Sequence, residues 1–109
     1  MKLTVKDRIV VTQLFPKESD LKEMAYCKEI KEKVFMSTEE MELIEFRILD
    51  NGGMAWEDEK CEDKEINFTI KELAFLDTQV DRLDSEKKIT LDIVEVCKAI
   101  KSAANEEEA

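Results

Sequence analysis

Carboxylates are the side chains best spaced to do chemistry in this sequence. Asp50-Asn51-Gly52-Gly53 is followed by Glu57, Asp58 and Glu59, which invites comparison with a calcium loop. Such a loop needs oxygen ligands at alternate positions, glycine at the sixth and a bidentate acid at the twelfth. Met54 and Trp56 stand where ligands should alternate, so the stretch offers weak, nonspecific cation binding at most. Asp77, Asp81 and Asp84 recur along one face of a helical segment, with Arg82 nearby. Stacked carboxylates do acid–base work only where one is desolvated, and this pattern reads as a solvated face.

The chain has no histidine, which removes the commonest general base and the commonest metal ligand. Cys27, Cys61 and Cys97 lie far apart, form no CxxC pair and are odd in number. They read as reduced thiols, neither a disulfide framework nor a zinc site. Cys27 and Cys97 fall at apolar helical positions and are expected in the core. Cys61 lies in a charged loop, is expected at the surface, and lacks the base a nucleophile needs. Gly52-Gly53 is not followed by the Lys-Ser/Thr of a phosphate loop. Tyr26 and Trp56 read as core or edge aromatics. No catalytic, cofactor-binding or metal-ligating set emerges, so the expectation is a protein without enzymatic activity or cofactor.

The charge balance bears on partners. Seventeen basic residues against 27 acidic give a net charge of -10 over 109 residues. Nucleic-acid binding draws on Lys and Arg neutralising phosphates, and no basic patch is visible, so direct nucleic-acid contact is not expected. The acidity serves solubility, and it also suits a protein partner with a basic surface. No apolar run approaches a membrane span, and the opening residues carry no signal-peptide pattern. The expected location is the cytoplasm.

The periodicity predicts one domain over 1–102 and a frayed acidic tail over 103–109. Thr4 with Asp7 starts a helix over about 5–14, with Ile9, Val10 and Leu14 on one face and Pro16 as the stop. Asp20 with Glu23 opens a helix over 20–35, with Leu21, Met24, Cys27, Ile30 and Val34 inward. Its lysines Lys22, Lys28, Lys31 and Lys33 alternate with glutamates as a solvent face. Ser37-Thr38-Glu39-Glu40 is a capping box for a short helix over 38–45. Thr69 to Glu72 is a second box, opening a helix over 70–84 that carries Leu73, Leu76, Val80 and Leu83. Thr90 is expected to cap a last helix to about 102, with Leu91, Val94, Cys97 and Ile100 inward.

Between the third and fourth helices lies Phe46 to Trp56, which holds both glycines and the only tryptophan. It reads as a β-hairpin. A two-residue Asn51-Gly52 loop pairs Leu49 with Met54. A three-residue Asn51-Gly52-Gly53 loop pairs Asp50 with Met54 and Ile48 with Trp56, putting Phe46, Ile48, Met54 and Trp56 on one face. The longer loop is preferred because it buries those four together, with Gly53 in the left-handed position. Residues 57–65 read as a solvated loop, and 65–68 as a short third strand. The fold class is therefore α+β, mainly helical, with about five helices around a central hairpin.

Three helices followed by a hairpin is also a winged-helix order, in which the third helix meets DNA. Here that helix carries Glu39, Glu40, Glu42 and Glu45, which phosphates repel. Protein contact suits it better. With Trp56, Glu57, Asp58 and Glu59 these glutamates form the candidate interface. The opening Leu3-Thr4-Val5-Lys6-Asp7-Arg8, the Ser37-Thr38-Glu39-Glu40 box, the glycine turn with Trp56, and Asp84-Ser85-Glu86-Lys87-Lys88-Ile89-Thr90 carry a resemblance. Over residues 3–100 the chain resembles small proteins encoded by tailed phages and prophages of gut bacteria. That resemblance implies a compact, cytosolic, non-enzymatic accessory protein. The expected function is a protein-binding or assembly module. The second reading is an acidic regulator or nucleic-acid mimic that occupies a DNA-binding protein.

Overall fold

The first four helices each start where a short polar side chain can take an orphan backbone N–H. The computed structural model, which describes residues 1–108, places α1 at Val5–Gln13, α2 at Leu21–Val34, α3 at Thr38–Leu43, α4 at Ile70–Ser85 and α5 at Val94–Glu108. Thr4 and Asp7 close a full capping box on α1, and Thr69 and Glu72 close one on α4. Asp20 caps α2 by accepting the Glu23 N–H at 2.8 Å. Four strands of two residues each complete the α+β fold: β1 (Lys2–Leu3), β2 (Arg47–Ile48), β3 (Met54–Ala55) and β4 (Lys64–Glu65).

The main core lies between α1, α2, α4 and α5. Val10, Val11 and Leu14 meet Cys27, Ile30 and Val34 on one side and Leu76, Val80, Cys97 and Ile100 on the other. A second, smaller cluster sits on the opposite side of α1. Val5, Met36 and Ile44 form its buried centre, with Ile9, Met41, Phe46, Trp56 and Cys61 packed around them. Helix α1 is thus apolar on two sides, not on the single face its spacing suggested. Cys61 is half-buried here, because the loop after the hairpin folds back through a short 3₁₀ turn at Asp58–Lys60.

Several boundaries differ from the sequence reading, each for a local reason. Helix α3 stops at Leu43 because Glu45 adopts a left-handed conformation with φ 55°. The Phe46 N–H then donates to the Met41 carbonyl at 2.9 Å, a left-handed C-terminal cap. Lys87, φ 58°, ends α4 the same way, with the Lys88 N–H donating to the Leu83 carbonyl at 2.9 Å. Helix α5 begins at Val94, not beside Thr90. The Thr90 carbonyl accepts the N–H of Ile93 and of Val94, so the intervening residues form a turn and Leu91 is exposed. Residues 103–108, read as a frayed tail, continue α5, and Ala109 lies outside the described residues. Leu21 and Ile70, each the first residue of its helix, are exposed as well.

The third strand exists but pairs elsewhere. β4 runs antiparallel to β1, with Lys2 opposite Glu65 and Leu3 opposite Lys64, and buries Leu3 and Ile66 in the main core. The hairpin follows neither expected register. β2 and β3 pair Arg47 with Ala55 and Ile48 with Met54. The loop is Asp50-Asn51-Gly52. Leu49 N–H donates to the Gly53 carbonyl at 2.7 Å and Gly52 N–H to the Leu49 carbonyl at 2.9 Å. Gly52, with φ 85°, takes the left-handed position expected of Gly53.

A Cβ on Gly52 meets nothing within 4 Å, so replacing it tests backbone conformation alone. Gly52→Ala is expected to cost about 1–2 kcal/mol in urea unfolding, and Gly52→Asn distinctly less. Equal costs for the two would contradict this register.

Candidate functional site

The site is built around a charge to which the sequence reading gave no structural role. Arg8 sits on α1 between the two apolar clusters and is 1% exposed. Its Nε donates to the Val34 carbonyl at 2.7 Å and its Nη2 to the Phe35 carbonyl at 3.3 Å. These are carbonyls that the end of α2 leaves without helical partners. Its Nη1 and Nη2 meet Glu40 Oε2 and Oε1 at 2.6 and 2.9 Å. Glu40 therefore does not reach back to complete the box at Ser37, although the Ser37 hydroxyl accepts the Glu40 N–H at 3.1 Å. The Arg8 hydrogen bonds hold the Glu40 carboxyl below its ordinary pKa, against a smaller opposing effect of burial.

The Arg8 clamp fixes α1, the α2–α3 link and α3 as three walls around an open groove, and the hairpin supplies the fourth. Ile9 and Thr12 come from α1, Phe35 and Met36 from the link, Met41 from α3, and Phe46, Ile48 and Met54 from the hairpin. The groove volume is about 550 Å³, within the range of pockets that hold a ligand. Its rim is apolar and open to solvent: Ile48 is 73% exposed, Phe35 53% and Met54 46%.

The candidate interface residues divide. Phe46, Ile48, Met54 and Trp56 do share a face, but they are not buried together. Phe46 and Trp56 stack at 6.3 Å with rings 9° from parallel, inside the second cluster. The half-buried indole donates to Asp58 Oδ1 at 2.7 Å, while Ile48 and Met54 stay open. The sequence reading offers Glu39, Glu40, Glu42 and Glu45 as a candidate interface for a partner. Instead Glu40 is held by Arg8, and Glu45 pairs with Lys60 at 2.7 Å. That pairing lowers the Glu45 pKa and raises that of Lys60. Glu57 lies 3.6 Å from Arg47. Glu39, Glu42 and Glu59 are exposed.

The remaining sequence candidates serve packing. Asp77 and Asp81 are not a free face: both pair with Lys101 of α5, and Asp77 Oδ1, a buried atom, lies 2.9 Å from its ammonium. The two carboxylates raise the Lys101 pKa. Lys33, read as part of a solvent face, pairs with Glu72, which is 1% exposed. Burial raises the pKa of all three thiols, Cys27, Cys61 and Cys97, which keeps them protonated. Among the described residues, no three His, Cys, Asp or Glu side chains converge on a metal position, and no helix is long and apolar enough to cross a membrane.

The groove itself was missed. Its signal was present in Arg8, a charge at helical spacing between Val5 and Val11, which marks a buried cation seeking a carboxylate. The molecule belongs to the class of small, mainly helical α+β domains with an open apolar groove between helices and hairpin. No family model, no curated protein and no solved structure matches the chain.

Glu40→Gln is expected to cost about 2–3 kcal/mol at pH 7, because it leaves a buried guanidinium without its counter-charge. The Glu40 carboxylate has a lowered folded-state pKa, so its stabilisation is complete above its ordinary value of 4.5 and fades as pH falls through the folded value. Denaturation of wild type and Glu40→Gln between pH 7 and about 3 checks the sign. The gap between them should narrow below about pH 4.5, and a gap that widens on acidification refutes the assignment.

Proposed function

We propose that the protein is a small, non-enzymatic protein-binding or assembly module that docks a segment of a protein partner in this groove. The same proposal takes it as a phage or prophage accessory factor working in the host cytoplasm, as its sequence resemblance implies. The observation carrying the reading is the open apolar rim of Phe35, Ile48 and Met54 above a formed groove. Exposed apolar side chains gathered around a concavity favour docking over solvation. The mimic reading finds less support, since Glu40 of the acidic helix and Glu45 just past its end are committed to Arg8 and Lys60.

Quantitative affinity capture from a phage-infected host lysate tests this. Wild-type bait is expected to hold a capsid or tail component that Ile48→Asp bait loses. Ile48 is exposed, so the substitution leaves the fold intact. Capture of a nuclease or polymerase that survives Ile48→Asp but is lost with Glu39→Lys and Glu42→Lys together would replace the proposal with the mimic.

A further inference from the structure

We infer that the hairpin tip is a self-modification site: the Gly52 nitrogen attacks the Asn51 carboxamide and converts that residue to aspartate and isoaspartate. Asn51 is one of three asparagines in the chain and the only one followed by glycine. Phe68 follows Asn67 and Glu106 follows Asn105, and a side chain on that next residue shields its nitrogen. Glycine has none. Asn51 and Gly52 are both exposed, and a Cβ on Gly52 would meet nothing within 4 Å, so the approach is open. Asn51 Oδ1 also accepts the Gly53 N–H at 2.9 Å. That bond closes a ring containing both the electrophilic carbon, Asn51 Cγ, and the attacking nitrogen of Gly52. It draws electron density from Cγ. It also meets the oxygen on which negative charge develops as the nitrogen adds, as a donor does in an oxyanion hole.

In the reaction the Gly52 N–H gives its proton to water, and its nitrogen bonds to Asn51 Cγ. The carboxamide nitrogen takes up a proton and leaves as ammonia, which closes a cyclic imide. Water then opens either of the imide C–N bonds. The net change is asparagine plus water to an aspartyl residue plus ammonia, with nothing oxidised or reduced. One contact opposes the step: the Gly52 N–H donates to the Leu49 carbonyl at 2.9 Å. That bond needs the hairpin closed, and strands of two residues fray at little cost. The Asn51–Gly53 ring closes within three residues and does not need the strands. The products differ at the tip. Aspartate keeps an oxygen for the Gly53 N–H. Isoaspartate routes the main chain through Cγ, which lengthens it by a methylene and takes the side-chain oxygen out of the turn. Gly52 then leaves the position that sets Ile48 opposite Met54, and the fourth wall of the groove moves whatever the groove holds.

Peptide mapping by mass spectrometry, with electron-transfer fragmentation to tell isoaspartate from aspartate, follows position 51 over time at neutral pH. The samples are the folded protein, the same chain unfolded in urea, and Gly53→Ala in both states. A Cβ at residue 53 would lie 3.0 Å from Asn51 Oδ1, which pushes the carboxamide off its donor. The folded protein should convert at least as fast as the unfolded chain. Gly53→Ala should slow folded conversion by about threefold or more and leave the unfolded rate unchanged. In converted protein the Leu49 amide, which donates to the Gly53 carbonyl at 2.7 Å in the intact hairpin, should exchange with deuterium faster. Slower conversion folded than in urea means that the turn protects Asn51, and overturns the inference. A folded rate unchanged by Gly53→Ala overturns it too. Circular dichroism checks that Gly53→Ala is folded, and the wild-type comparison stands without it. Conversion to aspartate alone, or unchanged Leu49 exchange, overturns the remodelling of the tip.

Discussion

Arg8 joins three elements, α1, the end of α2 and α3, through one buried charge. Two of its acceptors are carbonyls at the end of α2, and the third is a carboxylate in the first turn of α3. The helix dipoles favour both ends of this contact: a cation at a C-terminus and an anion at an N-terminus. Removing a guanidinium from water is costly, and an ion pair of this kind often roughly breaks even against an apolar replacement. Its value lies in geometry. The link Phe35-Met36-Ser37 must turn so that α3 returns its glutamate to Arg8, and that turn sends Met36 inward and leaves Phe35 outward. The groove wall is a consequence of where the charge is satisfied.

The same use of scarce cations recurs across the fold. Lys33 crosses from α2 to Glu72, and its ammonium also donates to the Asn67 carbonyl at 3.0 Å, tying α2 to the start of α4. Lys101 ties α5 to Asp77 and Asp81 of α4. In a chain with 17 basic residues, these pairs set helix against helix and leave a surface dominated by acids. Uncommitted carboxylates such as Glu39, Glu42 and Glu59 keep the outside charged, while the apolar rim is confined to one side of the hairpin.

What the sequence made legible was local. The N-caps at Thr4, Asp20, Ser37 and Thr69 are set by residues three apart, and all four form. The apolar stripe of α4 and the buried Cys27 and Cys97 follow from helical periodicity. What escaped was set by distance. Glu72 closes its own capping box and also receives Lys33 from 39 residues away, which no local pattern shows. Strands of two residues have no alternation to read, so β1 was invisible and β4 was given no partner. Helix ends at Glu45 and Lys87 use left-handed residues that are not glycine, so the usual stop signal is absent.

The hairpin shows why a face can be read where a register cannot. The expected and observed pairings differ by a shift of two residues, Ile48 moving from Trp56 to Met54. A shift of two preserves which side each residue faces, so the apolar pattern cannot distinguish the registers. The turn decides between them. With Gly52 left-handed, the Asn51 side chain can accept the Gly53 N–H at 2.9 Å. That choice divides the four apolar residues. Phe46 and Trp56, next to the helices, become opposite partners and stack into the second cluster. Ile48 and Met54, nearer the tip, pair beyond the helices' reach and remain open. Had Ile48 lain opposite Trp56, the strand would have drawn it toward that cluster. The glycine at position 52 therefore does more than close a loop: it sets how far the hairpin carries its apolar face past the core, and so whether the groove has a fourth wall.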